Sequence, residues 1–365
     1  MEVKKGAHHT LLFVCANFTI GGVGKILNFV AENSVKSFDK VVIVSMRGEA
    51  RPSWLHQEID YETITPDFNR GMIIWRSKAI SQLRKIIRKI KPDIICPFGS
   101  EVAVMTVFST RWMKRGKILS AERCDPYTSS FAWRILIKLS YFLSDYCVFQ
   151  LEGARDYYGN ILKNKSFVIP NPYIPKISIN VADINRTKTI VSAGRFVEQK
   201  GFEVLIDAFK EVNKHHPDYT LKIYGEGELL DFYKQRVKNL DLDGFVSFPG
   251  YTSIVEKEII NDGIFVLPSR FEGIPNVLIE AMATGIPTVS TDCPPGGPRF
   301  LTNGGERGLL VSVDNYIEMA NAICKLIEHP EVAKKIGESG CKIREILSEV
   351  KIARQWANMF SLILK

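Results

Sequence analysis

At 365 residues the chain is longer than one hydrophobic core serves, since single cores stop growing at about 250–300 residues, and a hydrophobic fraction of 45% is ample for two. Seven cysteines, odd in number and scattered without C-x-x-C or zinc-ligand spacing, argue against a disulfide framework or a zinc module and fit a reduced, cytoplasmic protein. The net charge of +8 invites an anionic partner but does not choose among nucleic acid, acidic lipid and a phosphorylated substrate.

The first apolar run, "LLFVCA" (11–16), breaks at Asn17 with no small-residue cleavage site, so it reads as a strand rather than a signal peptide. Further strands are expected at 41–45, 93–97, 117–121, 146–150 and 166–170, alternating with helix-period segments. The apolar segment 131–143 is shorter than the ~18–20 residues a bilayer span needs and carries Arg134 and Lys138, so no transmembrane helix is expected. Residues 169–188, with Pro170, Pro172 and Pro175 and no clear period, read as a linker. A second strand series follows at 189–194, 220–225, 246–250, 263–268, 286–290 and 308–312. The pattern predicts an α/β chain of two doubly wound, Rossmann-like domains with a cleft between them. In such sheets the loops after the strands carry the chemistry.

Several of those loops hold suggestive residues. In "FTIGGVGKILNF" (18–29), Gly21, Gly22 and Gly24 precede a helix and would let backbone amides approach a phosphate. The stretch is not a P-loop, because Thr19 and Ile26 stand where a glycine and a Ser or Thr belong. It is a poor dinucleotide fingerprint too, with Leu27 at the third glycine. In "SAGRFVEQKGFEVLIDAF" (192–209), Arg195 and Lys200 sit between a strand and a helix, placed either to hold a diphosphate or simply as solvated loop charges. Asp241 and Asp243 in "LDLDG" fall between a helix and a strand start, the wrong end for a cleft ligand, and read as a solvated turn. In "SRFEGIPNVLIEAMATGIPTVSTD", Pro275 opens a helix and Gly285 stops it. Glu272 lies in the turn before that helix and Glu280 one turn inside it, among apolar residues. A carboxylate there needs hydrogen-bond donors, from a ribose diol or from a neighbouring Arg, unless it turns to solvent.

Together these residues resemble the family 4 retaining glycosyltransferases of the GT-B fold. The resemblance rests on the two glutamates of "EGIPNVLIE", on "GRFVEQKG", on "GGVGK" and on "YGEGE" (224–228), and is more specific in the second half of the chain. It implies that Glu280 binds the ribose hydroxyls of a nucleotide sugar, and that Glu272 with Gly273, Ile274 and Asn276 holds the donor sugar. It implies that Arg195 and Lys200 grip the diphosphate, that Gly21 and Gly22 offer amides to it, and that Tyr251 and "YGEGE" lie near the base. In the family the departing phosphate itself helps take the acceptor proton, so stabilising the leaving group is the main protein contribution. Catalytic roles are thus expected for Glu272, Arg195, Lys200 and Glu122. The last replaces, with Arg123 and Asp125 in "SAERCDPYTSS", a histidine that many members carry there; an Arg123–Asp125 pair that merely stiffens the loop is the alternative. The resemblance further implies no metal and no cofactor beyond the nucleotide-sugar donor.

By the same resemblance, residues 1–172 would bind the acceptor, 173–345 the donor, and 346–365 would form a helix crossing back to the first domain. Segment 76–91, "RSKAISQLRKIIRKIK", has seven Lys or Arg and no acid, with Ile80, Leu83, Ile87 and Ile90 on one helical face. That face either packs on the sheet or meets an anionic membrane, and both can hold if the cations alone face lipid. The expected function is transfer of a hexose or N-acetylhexosamine, from UDP in preference to GDP, to a lipid-linked or surface glycan. The enzyme would work in the cytoplasm, with attachment to the inner face of the membrane left open and no nucleic-acid partner. The competing readings are a nucleotide-sugar isomerase such as a UDP-sugar 2-epimerase and a non-enzymatic lipid or nucleic-acid binder.

Overall fold

Short apolar runs with little alternation are what a parallel sheet covered on both faces demands, because every side chain in such a strand meets a helix. The computed structural model describes residues 8–19, 22–64, 72–113, 115–123, 130–179 and 185–365, with the backbone alone for 72–76. Gly21 and Asp125 lie outside the described residues. The chain divides into two units, one of residues 1–171 with 350–365 and one of residues 172–349.

In the first unit the order is β1 (Thr10–Cys15), α1 (Gly22–Ser34), β2 (Lys40–Ser45), β3 (Ile59–Thr63), α2 (Met72–Ile90), β4 (Ile94–Phe98) and α3 (Ser100–Thr110). Then come β5 (Lys117–Ala121), α4 (Phe131–Leu143), β6 (Tyr146–Phe149), α5 (Glu152–Tyr157) and β7 (Ser166–Val168). All strand pairs are parallel, in the spatial order β3-β2-β1-β4-β5-β6-β7, with Leu11 opposite both Val41 and Ile94. β3 escapes the sequence pattern because it is an edge strand: of "IDYET" only Ile59 is buried. α2 docks its apolar face on the sheet, with Ala79, Leu83 and Ile87 fully buried and Ile80 and Ile90 half-buried. The free apolar face that a membrane would need there is therefore already covered.

In the second unit β8 (Thr189–Ala193), α6 (Phe202–His215), β9 (Thr220–Tyr224), α7 (Leu230–Asn239), β10 (Val246–Gly250), α8 (Val255–Ile259) and β11 (Ile264–Leu267) come first. They are followed by α9 (Asn276–Ala283), β12 (Thr288–Thr291), α10 (Gly297–Thr302), β13 (Leu309–Val311), α11 (Tyr316–Glu328), α12 (Pro330–Cys341) and α13 (Ile343–Ile346). The parallel order is β10-β9-β8-β11-β12-β13, so the chain reverses its direction of winding between β8 and β11. The loops leaving that pair open a crevice at the sheet's carboxyl edge, where doubly wound sheets bind ligands. α6 covers the sheet with Phe202, Leu205, Ile206, Phe209 and Val212, all fully buried on one stripe.

The closing helix, α14 (Glu349–Leu364), belongs to the first unit. Ile352, Trp356, Met359, Phe360 and Ile363 form its buried stripe. Trp356 stacks on Phe98 at 6.3 Å between ring centroids, and Phe360 meets Phe38 edge-on at 5.3 Å. Lys117 Nζ donates to the Ile363 carbonyl at 2.6 Å, satisfying one of the helix's last acceptors. Among the described residues no helix is long and apolar enough to cross a membrane. Trp356→Ala should cost the first unit ~3–5 kcal/mol, read as a lowered urea midpoint, with the second unit's midpoint unchanged.

Candidate donor site

The site is built on the switch between β8 and β11. β8 ends at Ala193, and the chain runs on through Gly194 and Arg195 to Phe196, whose ring is fully buried against Phe202 and Tyr233 at 5.6 and 5.7 Å. That anchor leaves the neighbouring Arg195 side chain exposed, with no hydrogen-bond or ion-pair partner among the described residues. The loop "YGEGE" clasps the same segment. Gly194 donates to the Tyr224 carbonyl at 2.9 Å and Phe196 to that of Glu226 at 2.8 Å. Gly225 has φ of 149°, and a Cβ there would lie 1.9 Å from the Gly194 carbonyl oxygen. These glycines set the backbone that carries Arg195, a contribution distinct from any contact with a nucleotide base.

Lys200 ends a 3-10 turn at 198–200, and its side chain lies back over Gly194, where an added Cβ would meet Lys200 Cε at 3.3 Å. Its ammonium pairs with Glu272, both side chains being nearly buried. Ser269 Oγ donates to the same Glu272 oxygen at 2.9 Å, and the Glu272 amide donates to the Pro294 carbonyl at 2.9 Å. Two clips hold the loops in register: Arg270 N to the Gln199 carbonyl at 2.9 Å and Gln199 Nε2 to the Phe271 carbonyl at 2.9 Å. Arg270 in turn donates to Glu198 O at 2.6 Å and pairs with Glu203 and Asp314. Gly297 fits against the Gly273 carbonyl so closely that a Cβ would come within 1.5 Å of it, which fixes the glutamate loop from below.

α9 starts at Asn276 with Pro275 as its cap, directly after the half-buried Gly273 and the buried Ile274, and the Pro275 carbonyl accepts from the Leu278 and Ile279 amides at 3.0 and 3.2 Å. Glu280, on the same helix, does not turn to solvent. Its carboxylate pairs with Lys176, whose Nζ also reaches the Ser253 carbonyl at 3.3 Å and Glu256 Oε2 at 3.9 Å. Glu256 is fully buried; that burial, followed by the Glu280 charge, raises its pKa. Tyr173 beside it is raised as well, by burial and then by Glu256. Neither the cation found at Glu280 nor this pair of groups was legible in the sequence, where an Arg was the expected protein partner. Lys176 is 104 residues from Glu280 and shares no local pattern with it.

The remaining residues singled out in the sequence lie elsewhere. Tyr251, exposed, follows β10 in the second unit. Gly22 opens α1 of the first unit and is exposed, while Gly24 is buried where a Cβ would strike the Thr19 carbonyl at 1.8 Å. Glu122 is buried at the end of β5, accepting from Ser100 Oγ at 3.5 Å. Arg123 is buried too, its guanidinium centred 5.3 Å from the Phe98 ring and 5.1 Å from that of Trp356. Its Nη1 donates to Ile169 O and Asn171 Oδ1 at 3.2 and 3.3 Å, and burial pulls its pKa down to about 10 against the opposing effect of Glu122. Arg123 thus ties β4, α14 and the 169–171 segment together. Asp241 and Asp243 are exposed in a turn, as expected. Among the described residues one group, His216, Cys324 and Glu328, brings potential metal ligands within 4.8 Å of one another. It sits past the C-terminal end of α6, the opposite end of that helix from Lys200.

Residues 176–343 match the family model described as glycosyl transferases group 1. Over that segment the second unit resembles the group 1 glycosyl transferases. A glycosyltransferase of Haemophilus influenzae is 28% identical over 75% of this chain and 78% of its own. The Campylobacter jejuni N-acetylgalactosamine-N,N'-diacetylbacillosaminyl-diphospho-undecaprenol 4-alpha-N-acetylgalactosaminyltransferase is 33% identical over 46% of this chain and 45% of its own. Anabaena HepE in its complex with UDP-glucose superposes with a TM-score of 0.81 at 18% identity, covering 97% of this chain and 100% of that one. The fold is GT-B, and Arg195, Lys200, Glu272 and Glu280 all fall within the matched transferase domain.

The Lys176–Glu280–Glu256 group gives this domain a pH signature. Glu256 keeps its proton to higher pH in the folded chain than when unfolded, where it titrates near 4.5. The unfolded state therefore binds fewer protons in that interval, and this group's contribution falls as pH rises from about 4.5 through the folded value. Glu256→Gln should leave the domain's urea midpoint close to wild type at about pH 4 and raise it relative to wild type at about pH 7.

Proposed function

We propose that the chain is a retaining glycosyltransferase that moves a hexose or N-acetylhexosamine from a nucleoside diphosphate, UDP before GDP, to a lipid-linked or surface-polysaccharide acceptor without a metal. The observation that carries this is that Arg195, without a side-chain partner among the described residues, the Lys200–Glu272 pair and the helix-borne Glu280 all lie on the segments that follow β8 and β11 at the sheet's winding reversal. The acceptor class is suggested by the undecaprenol-linked substrate in the name of the Campylobacter relative. UDP is suggested by the UDP-glucose held by HepE.

In this reading the diphosphate takes Arg195 directly and draws Lys200 away from Glu272, so that both cations stabilise the charge that grows on the leaving phosphate. Glu272, released, accepts hydrogen bonds from the donor sugar's hydroxyls. Lys176 yields Glu280 to the ribose diol while staying near Glu256, so the pocket keeps its charge balance as the nucleotide enters. The acceptor hydroxyl attacks the anomeric carbon on the face the phosphate leaves. Its proton passes to the departing phosphate oxygen, and the configuration is retained. Glu122 is the proposed acidic contact on the acceptor-binding side.

Measurements of binding, turnover and product stereochemistry test the proposal. Calorimetric titration of UDP and GDP with a chelator present should show binding that Glu280→Ala weakens ~10–100-fold, the loss of charge-assisted hydrogen bonds to the ribose. Arg195→Ala should lower turnover ~100-fold or more. Free nucleotide should appear in step with glycosylated product, whose anomeric coupling in proton NMR should match the donor's. Isomerised donor without nucleotide release would instead identify an isomerase, and metal-dependent binding or an inverted product would overturn the mechanism.

A further inference from the structure

The helix that the sequence marks as apolar, α4, keeps only part of its apolar surface inside. Ile137, Ser140 and Tyr141 face the core, and the opposite stripe is open to solvent. Along it Phe131 is 78% exposed, Ile135 53%, Leu139 42% and Phe142 52%. These positions follow one another at helical spacing and make one continuous ridge. The adjoining 3-10 turn 160–165 packs against α4 and presents Ile161, 69% exposed. α2, the most basic helix, differs in kind because its Leu83 and Ile87 are fully buried.

Within α4 and the adjoining turn the charges have one sign. Residues 131–143 and 160–165 contain Arg134, Lys138, Lys163 and Lys165 and no Asp or Glu. Lys165 donates to the carbonyls of Phe142 and Ser144 at 2.6 and 2.7 Å, which fixes a cation at the C-terminal end of α4. The acids in between are occupied. Asp145 pairs with Arg111 at 2.8 Å, and Glu152 and Asp156 both lie against Arg155, at 3.7 and 3.2 Å.

We infer that the exposed face of α4 is a docking surface for an anionic lipid bilayer, with the helix lying in the plane of the headgroups. Its 13 residues span about 20 Å, too short to cross a bilayer but long enough to immerse an apolar ridge while cations meet lipid phosphates. A second copy of the chain is a poorer occupant, because two such faces would bring like charges together. This surface carries the chain to the membrane by α4 rather than by the basic helix α2. It rests on none of the donor-site residues.

Vesicle sedimentation tests it without donor or acceptor. Wild-type protein should bind vesicles of mixed phosphatidylglycerol and phosphatidylcholine, weakly those of phosphatidylcholine alone, and less as salt rises. I135S/L139S should lower partitioning ~10-fold or more, and K138E/K163E should reduce binding on phosphatidylglycerol vesicles to the phosphatidylcholine level. Unchanged thermal unfolding and UDP affinity would show that both variants remain folded. K85E/R88E on α2 should retain most of the binding. The inference is overturned if wild type ignores anionic vesicles at low salt, or if the α4 variants bind as wild type does. Loss of binding in the α2 variant alone would overturn it too, as would a solution dimer that I135S/L139S dissociates.

Discussion

The ion pair between Lys200 and Glu272 is the contact on which the rest of the candidate donor site depends. The two residues leave different strands, β8 and β11, and 72 positions of sequence separate them. Parallel pairing of those strands at the sheet's winding reversal brings their loops side by side, and the Gln199 and Arg270 clips hold them there. Removing one partner of a nearly buried pair strands the other charge, a penalty of ~3–5 kcal/mol, so the empty site needs both. An entering diphosphate can substitute for the carboxylate at Lys200. The same pair can therefore stabilise the apo domain and give up its cation to a ligand.

A second pairing of this kind, Lys176 with Glu280, repeats the arrangement on α9, where the proposed reading puts the ribose. In both, a lysine on a long flexible stem meets a carboxylate on a short loop or helix: Glu272 accepts from Ser269 and its amide is tied to Pro294, and Glu280 stands on α9. Arg195 is the exception, held out in solvent by the buried Phe196 and the glycine loop at 225–227. An arginine whose side chain has no partner among the described residues has the most to gain from an anion, since it brings a full fork of donors to it.

How much of this the sequence disclosed follows from burial. Strands covered on both faces, such as β1, β8 and β11, were legible because every position is apolar or small. The edge strand β3 was not, because its polar residues answer to solvent on one side and only Ile59 to the core. Of the four candidate donor-site residues, Arg195, Lys200 and Glu272 could be named because they sit in short loops with recognisable neighbours, and Glu280 because a carboxylate stands out in an apolar helix. Their partners could not: Gln199 and Lys176 act through contacts across loops and Ser269 through one within its own loop, and nothing in their own stretches sets them apart. The periodicity of 131–143 showed an apolar helix but not which stripe the fold would leave uncovered. For 76–91 the opposite occurred, with the apolar stripe packed away and the charge run left as a solvated face.

The most direct test of the ion pair's role is UDP binding to Glu272→Gln measured beside Lys200→Met. If the glutamate holds the lysine in reserve for the diphosphate, its neutralisation frees that cation. The account then predicts UDP affinity equal to or above wild type in Glu272→Gln, with sugar transfer lost, and weakened UDP binding in Lys200→Met. Loss of UDP affinity in both variants to the same degree would contradict it, since the pair would then be structural and the cation would not be handed to the ligand.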